Sequence, residues 1–466
     1  MLRVKIMDKH MIENITLQNK KLNFVINSEI NPDANIFTVI TGKNGVGKSR
    51  LLSIIASHFL NKENEGRFVR ERKEYNEKQS YELNYTAHPA KVIAVATSAF
   101  DKFPVPRRRE IINEYSYLGL RGLPSFDLSA EYISKITFKL ISAVRNRELD
   151  MSRIGNVLNY LGYYDEIEIS VNSRYSEGRV KEISSSGNIY LAFEQHFLRG
   201  MLPLASINKS LFINEDGNII KEAVDYAFVA MSKHTRKRPG LAGTIIINKS
   251  GANLVSDEAF LDDEFMFLLE AGIISTRNVN LRKNNSKKTF SMKNASSGEQ
   301  CILMSLLGIA SQITDNCLIC IDEPEVCLHP EWQEKYISIL MDTFKDYQNC
   351  HFIIATHSPQ ITSKLNPINC FILSLHDERT HNSAEVINRS IDFQLATLFR
   401  APGFKNEYLT RELVNFLAEL ATEKSINTNK IIEIEKIINL KPLINDTDPV
   451  KKLITLAEKA IREARS

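Results

Sequence analysis

The stretch Ile36-Phe37-Thr38-Val39-Ile40-Thr41-Gly42-Lys43-Asn44-Gly45-Val46-Gly47-Lys48-Ser49 constrains this chain more than any other. Its first six residues are apolar or β-branched and few enough for one buried strand. Gly42 to Ser49 then match G-x-x-x-x-G-K-[ST], the phosphate-loop pattern. Gly42, Gly45 and Gly47 let the backbone bend tightly, so that its N–H groups can point at a polyphosphate. Lys48 adds a point charge on the β- and γ-phosphates, and Ser49 offers a hydroxyl to Mg²⁺. The run Leu51 to Ala56 predicts a helix whose N-terminus favours an anion. A glycine-rich turn with a chance lysine would need neither the strand before it nor the helix after it.

Four further motifs follow one another late in the chain. Ser296-Ser297-Gly298-Glu299-Gln300 precedes an apolar helix from Cys301 to Ile313. Ser297 with Gln300 reads as a capping box, and a capped, glycine-containing helix start is also an anion site. Next, Cys317-Leu318-Ile319-Cys320-Ile321-Asp322-Glu323 is an apolar strand that delivers two carboxylates at its C-terminal end, where doubly wound sheets bind ligands. Asp322 is placed to serve a Mg²⁺ shell, and Glu323 to align and deprotonate an attacking water. Pro324 to Pro330 is a stiff loop into a helix from Glu331 to Phe344. Finally, His351 to Thr356 is a strand ending at His357-Ser358-Pro359, with His357 placed to reach a γ-phosphate.

The rest of the chain is read more coarsely. Ile15 to Ile26 predicts one or two strands, Asn61 to Tyr85 an exposed polar excursion, and Lys91 to Thr97 a second buried strand. Four units are expected: residues 1–105 and 294–392 as the two lobes of one head, 106–293 as a mostly helical insertion, and 393–466 as a helical tail. Within the insertion, helices are expected at Tyr132–Val144, Ser152–Leu161, Ile219–Ser232 and Asp257–Glu270, with a strand at Ile167–Val171. Later strands are expected at Cys370–Leu375 and Glu385–Asn388. No sustained heptads indicate a coiled-coil arm. Two basic clusters, Arg107-Arg108-Arg109 and His234 to Arg238, read first as solvated loops and second as phosphate-backbone contacts.

Composition excludes several classes. The 59 Lys and Arg nearly balance 56 Asp and Glu, too weak a net charge for a nucleic-acid-coating protein. No apolar run approaches the ~20 residues that span a bilayer, and the first residues lack a signal-peptide core, so a cytoplasmic location is expected. Cys317 and Cys320 are formally C-x-x-C, but they lie in an apolar strand with no second pair at zinc spacing, so they read as small buried hydrophobes.

Together, Gly42–Ser49, Ser296–Gln300, Leu318–Pro330 and Ala355–Pro359 resemble the Walker A, signature, Walker B with D-loop, and switch-histidine motifs of ABC-type ATPases. The resemblance is closest in the soluble RecF, SMC and OLD branch. It implies an α/β P-loop head with a mixed sheet, ATP and Mg²⁺ as cofactors, and a sandwich dimer in which Ser297 and Gly298 of one protomer close over ATP on the other. On this resemblance Gly42, Lys43, Asn44, Gly45, Val46, Gly47, Lys48 and Ser49 bind ATP, Ser49 and Asp322 hold Mg²⁺, and Lys48, Glu323 and His357 serve catalysis. Two departures stand out. Glu299 occupies a position where transporters usually have glycine, and the strand ending at Thr97 leads to Ser98-Ala99-Phe100-Asp101-Lys102-Phe103-Pro104 without the expected glutamine. Ser98 and Asp101 are the candidate substitutes, and slow hydrolysis is the alternative.

A narrower resemblance is to the ATPase subunits of bacterial anti-phage systems, notably PtuA of Septu and related retron systems. It rests on the Phe100–Pro104 stretch, the mixed insertion and the helical tail. It implies homo-oligomers that hold a PtuB-like HNH nuclease subunit. OLD-type proteins and the Gabija ATPase carry a TOPRIM nuclease after the head; none is expected here, and Asp446-Thr447-Asp448 reads as a polar loop rather than a metal site. The competing expectations are a RecF-like repair ATPase that clamps DNA directly and a transporter ATPase. Glu299 and the long insertion argue against the transporter.

Overall fold

The computed structural model describes residues 12–31, 34–60, 68, 80–106, 112–121, 128–146, 151–173, 177–198, 207–214, 216–237, 243–255, 261–286, 288–365, 368–387, 389–422 and 428–465. In chain order, β1 (Ile12–Leu17) and β2 (Lys20–Asn23) form a hairpin, and β3 (Ile36–Thr41) runs through the phosphate loop into α1 (Lys48–His58). Then come β4 (Tyr81–Tyr85), β5 (Lys91–Ala96), β6 (Tyr115–Leu118), α2 (Leu128–Arg145), α3 (Met151–Tyr160), β7 (Tyr163–Ser173), α4 (Glu177–Ser184) and α5 (Ile189–Phe193). These lead to α6 (Lys221–Lys237), β8 (Gly243–Asn248), β9 (Gly251–Val255), α7 (Asp263–Glu270), β10 (Ile274–Lys283) and β11 (Thr289–Ser291). The chain returns with α8 (Ser297–Ala310), β12 (Cys317–Asp322), α9 (Pro330–Phe344), β13 (His351–Thr356), α10 (Pro359–Ser363), β14 (Cys370–Ser374) and β15 (Arg379–Asn382). It closes with α11 (Ile391–Thr397), α12 (Glu407–Thr422), α13 (Thr428–Ile438) and α14 (Pro449–Arg465).

A seven-stranded sheet of order β15-β14-β3-β13-β12-β5-β6 carries the site. All its pairings are parallel except β14 with β15. Its central strands read as nearly unbroken apolar runs because both faces are covered. Alternate residues go to opposite cores: Phe37, Val39, Ile319, Ile321, Phe352 and Ile354 to one, Ile40, Leu318, Cys320, Ile353 and Ala355 to the other. The second core is closed by α1 and by a small sheet of order β2-β1-β4. Phe37 and Phe352 pair across β3 and β13 with ring centroids 4.6 Å apart, a stack worth ~0.5–1.5 kcal/mol beyond burial. Cys317 and Cys320 are free thiols buried in β12.

His351, fully buried on β13, ties this sheet to the small one. Its Nδ1 accepts from the Ile12 N–H at 3.2 Å, and its Nε2 meets Thr38 Oγ1 at 2.9 Å. The Thr38 hydroxyl donates to the Phe24 carbonyl, so the ring proton belongs on Nε2.

The first core runs without a break into the insertion, taking in Ile167, Ile169, Val171, Ile245, Ile247, Val279 and Leu281. That region is the mixed α+β insertion the motif resemblance implies: helices pack on a five-stranded antiparallel sheet of order β11-β10-β7-β8-β9, of which only the strand at Ile167–Val171 was expected. The alternation behind that strand is visible in β7, where Tyr163, Ile167, Ile169 and Val171 point inward while their neighbours are half-exposed. The head also extends past residue 105, since β6 forms the edge of its sheet.

Three other local readings change. Tyr81–Tyr85 is a strand on β1 rather than part of an exposed excursion, with Leu83 as its buried anchor; residues 61–67 and 69–79 lie outside the described residues. The last strand is Arg379–Asn382, not Glu385–Asn388, because polar residues suffice for an edge strand whose pairing is all backbone. The tail helices dock on one another: Leu409, Leu413, Phe416, Ile434, Ile437, Ile454 and Ile461 form a separate core. There Asp448 is a buried cap, accepting from Val450 N–H at 2.9 Å and Lys405 N–H at 2.8 Å. Among the described residues no helix is long and apolar enough to cross a membrane.

Candidate nucleotide site

Parallel register brings the motif strands to one edge. Thr41 pairs with Thr356, Ala355 with Asp322, and Asp322 with Ala96. The phosphate loop, the paired carboxylates, the switch histidine and the Ser98 loop therefore emerge side by side.

The loop has the backbone its glycines allow. Gly45 and Gly47 sit at φ 81° and 105°, and a Cβ on Gly42 would come within 2.8 Å of Val46 Cγ1. Lys43, Asn44, Gly45 and Val46 are exposed at the rim. Lys48, buried, folds back to donate to the carbonyls of Gly42 at 2.8 Å and Lys43 at 3.2 Å. Burial lowers its ammonium pKa, opposed by the carboxylates of Glu323, Glu325 and Asp322. An ammonium among carbonyl dipoles and acidic neighbours is poised to exchange those carbonyls for phosphate oxygens.

Ser49 Oγ donates to Asp322 Oδ1 at 3.0 Å. Asp322 is almost fully buried, and its carboxyl is pushed up to about 7 by desolvation, then by the charges of Glu323, Asp101 and Glu325, with the Ser49 bond a partial offset. A buried carboxylate held near neutrality suits a hard cation. The residues present fit Mg²⁺ as one hydroxyl and one carboxylate, the sparse protein set usual where phosphates and waters complete the shell. Among the described residues, no group of three or more His, Cys, Asp or Glu stands ready as a full metal cage.

Glu323 lies at φ 49°, ψ 55°, a left-handed conformation costing about 1–2 kcal/mol for a residue with a Cβ. Three bonds hold it there: its N–H donates to the Ala355 carbonyl at 2.9 Å, and its carbonyl accepts from Thr97 Oγ1 at 2.7 Å and the Val326 N–H at 3.3 Å. Its half-buried carboxylate has Oε1 3.6 Å from His357 Nδ1. The nearer acid is Glu325, a residue sequence reading passed over. Its Oε1 accepts from the His357 backbone N–H at 2.7 Å and lies 3.1 Å from Nδ1. The repeated acid in Asp322-Glu323-Pro324-Glu325 was its one available signal.

Of the two candidates to replace the missing glutamine, Asp101 is tied up. Its carboxylate accepts from Tyr117 Oη at 2.7 Å, the Phe103 N–H at 3.0 Å and Arg121 Nη1 at 3.1 Å, inside a buried node. Among the described residues, Ser98 Oγ accepts one local bond, from the Phe100 N–H at 3.1 Å. Phe100 itself is 85% exposed.

The signature segment is itself the first turn of α8, which starts at Ser297 rather than Cys301. Ser296, not Ser297, is the cap, and its box partner is Glu299 rather than Gln300. Gln300 instead donates to the Ala295 and Lys293 carbonyls. Ser297 is left exposed at the first helical position, with Gly298 buried behind it. Glu299 also reaches the insertion, where Tyr163 Oη donates to its Oε1 at 2.9 Å and Lys283 Nζ lies 4.0 Å away. Burial opposes its ionisation, but the Ser296 and Tyr163 bonds outweigh it and hold the carboxyl low. That explains an acid where a glycine was expected: it is half of a clasp. Neither Ser297 nor Gly298 bonds to the phosphate loop of the same chain among the described residues. Of the basic clusters, Arg107–Arg109 and Arg238 lie outside the described residues, and His234 faces Asp262 at 3.0 Å.

A phosphate loop, a buried acid on its serine, and a glutamate and a histidine side by side at one parallel-sheet edge define a P-loop ATPase site. Residues 134–363 match the family described as AAA domain, putative AbiEii toxin, Type IV TA system, a span that begins after the phosphate loop and takes in the other motifs. The chain is related to the retron Vc95 probable ATPase of Vibrio cholerae serotype O1 biovar El Tor, 24% identical over 384 residues, covering 73% of this chain and 70% of that one. It is 34% identical over 102 residues to the retron Ec83 probable ATPase of Escherichia coli, covering 20% and 18% of the two chains. A solved Smc head bound to the C-winged helix domain of ScpA is 14% identical, covers 79% of this chain and 95% of that one, and superimposes with a TM-score of 0.27, too low to carry an argument.

Proposed function

We propose that this chain is the ATP-hydrolysing subunit of a bacterial anti-phage complex, in which ATP-driven closure of a homodimer regulates a partner nuclease of HNH type. The observation that carries the ATPase half is the meeting of Ser49 with Asp322 beside Glu323 and His357. The defence half rests on the relation to retron ATPases and on the motif resemblance to PtuA-type subunits.

In this reading the phosphate-loop N–H groups and Lys48 bind the β- and γ-phosphates, Lys48 leaving the Gly42 and Lys43 carbonyls as they arrive. Ser49 and Asp322 hold Mg²⁺, whose chemistry is to neutralise charge on those phosphate oxygens. Glu323 accepts the proton of the attacking water, and His357 donates toward the γ-phosphate. The exposed Ser297 and the N–H groups at the start of α8 complete the site from a second protomer. A site finished in trans links nucleotide state to subunit arrangement, which a bound nuclease can sense.

The test is to tag the Glu323→Gln form in its native host, purify it with and without ATP, and identify what accompanies it by mass spectrometry. A stoichiometric small nuclease retained in an ATP-dependent manner is the expected result. A homodimer that retains DNA and no protein would replace this reading with a RecF-like clamp.

A further inference from the structure

Acidic and basic residues are interspersed along most of this chain, and one stretch departs from that. Between Glu270 and Glu299 there is no Asp or Glu, while Arg277, Arg282, Lys283, Lys287, Lys288 and Lys293 all fall there. The stretch folds into β10, β11 and the turn that joins them, an antiparallel ribbon with Asn280 opposite Ser291 and Arg282 opposite Thr289. β11 is an edge of the insertion's sheet. Lys287 lies outside the described residues.

The cations are presented rather than paired. Arg277, Lys283, Lys288 and Lys293 are exposed. Arg277, Lys288 and Lys293 make no ion pair with a described residue. Arg282 lies 3.9 Å over the Tyr164 ring, a stack that holds a guanidinium without using its N–H donors. Two of the nearby acids are engaged. Asp165, which also feels the Arg282 charge, is held by Lys249 at 2.8 Å. Glu299 caps α8 and accepts from Tyr163, with Lys283 4.0 Å away. Glu166 and Glu168 lie on β7, one strand inward, with Glu168 opposite Asn280.

Unpaired positive charge along a line attracts a linear anion. From Arg277 to Lys283 a strand runs about 20 Å, so these charges are strung out rather than gathered into a pocket for one phosphate. A two-stranded ribbon is also a width that the major groove of a duplex admits. An acidic protein fits less well. Protein interfaces have an apolar centre, and none of the exposed large apolar side chains lies on β10 or β11. We infer that the β10–β11 ribbon and Lys293 bind the phosphodiester backbone of a nucleic acid. The contact lies beside the start of α8, because Lys293 leads into the Ser296 cap. It needs neither the ATP nor the nuclease of the reading above.

The test uses the full chain without nucleotide, and labelled duplex DNA, single-stranded DNA and RNA of one arbitrary sequence. Fluorescence anisotropy gives affinity over a range of salt for the unmodified chain, for Lys288→Ala and for the Arg277→Ala/Lys288→Ala/Lys293→Ala variant. Binding to at least one of the three, weakening steeply with salt, is expected, and which one binds identifies the source of the backbone. Each cation removed should take ~0.9 from the log–log salt slope on a duplex, or ~0.7 on a single strand. The triple variant should then lose on the order of 100-fold in affinity at about 0.1 M salt, and Lys288→Ala several-fold. If the triple variant fails to fold, Lys288→Ala decides alone. No salt-dependent binding to any of the three, or variants with unchanged slope and affinity, would overturn the inference. Displacement by poly-glutamate as readily as by unlabelled nucleic acid of equal charge would also overturn it, and would mark the ribbon as a surface for an acidic protein. Because no ATP is present, failure here leaves the ATPase reading intact, and absence of ATP hydrolysis leaves this inference intact.

Discussion

Ser49 Oγ donates to Asp322 Oδ1 across 3.0 Å, joining residues 273 positions apart in the chain. The first belongs to the phosphate loop, the second to the end of a strand reached only after the whole insertion. Their contact is what turns two sequence motifs into one site.

Lys48→Ala removes the only side-chain cation bonded to the loop carbonyls among the described residues. ATP affinity should fall at least ~100-fold, since a charge-assisted phosphate contact is among the strongest a site makes. Isothermal titration with Mg-ATP checks it, and retained affinity would remove the phosphate-loop assignment.

The Asp322 carboxyl, pushed up to about 7 by burial and by its acidic neighbours, makes the nucleotide-free protein pH-sensitive. Its folded pKa lies above its ordinary value of 3.8, so the folded state binds this proton more tightly. The stability it contributes is full below about 3.8 and is lost as pH rises through about 7. Asp322→Asn should therefore stabilise the nucleotide-free protein at pH 8, by about 1–3 kcal/mol, with little gain at pH 4. It should also abolish any Mg²⁺-dependent rise in melting temperature. Denaturant melts at the two pH values test the sign.

Arg121 donates to Asp101 at 3.1 Å and to the carbonyls of Asp101 and Phe103 at 2.7 and 3.1 Å. Arg121→Ala strands a fully buried carboxylate, a change that costs about 3–5 kcal/mol. Asp101→Asn should cost less because the amide oxygen can still accept. If Asp101 instead stood in for the missing glutamine, Asp101→Asn would lower turnover without lowering the melting temperature.

Tyr163→Phe deletes the bond to Glu299 and leaves the ring in place. Stability should drop by about 1–2 kcal/mol, the range for a hydrogen bond to a charged acceptor that keeps other donors. Glu299→Gln should be milder, as the capping box survives. A melting temperature unchanged by Tyr163→Phe would mean that the insertion is not clasped to α8.

The strand ends were legible because a fully covered parallel strand is an unbroken apolar run, and each run here stops at a polar residue: Thr41, Asp322, Thr356. Helices α2, α3, α6, α7, α12, α13 and α14 were legible from their apolar stripes, whereas the shorter α4, α5 and α11 were not. The antiparallel sheet of the insertion was largely not, because β11 has one apolar residue in three and the buried Ile274, Val279 and Leu281 of β10 are spaced among polar residues. Tyr81–Tyr85 was hidden for the same reason, with Leu83 its single buried side chain. The cap was misplaced by one residue because Ser296-Ser297-Gly298-Glu299-Gln300 contains two overlapping boxes, and only the tertiary bond from Tyr163 selects Glu299. Glu325 was overlooked because its partner lies 32 residues away.

The most direct test of the ATP site is single-turnover and steady-state hydrolysis by purified Glu323→Gln beside the unmodified chain, with bound nucleotide and mass in solution measured together. The account predicts that the variant binds Mg-ATP, turns it over at least ~100-fold more slowly, and accumulates as an ATP-bound dimer. Turnover equal to that of the unmodified chain, or hydrolysis lost together with ATP binding, would contradict it.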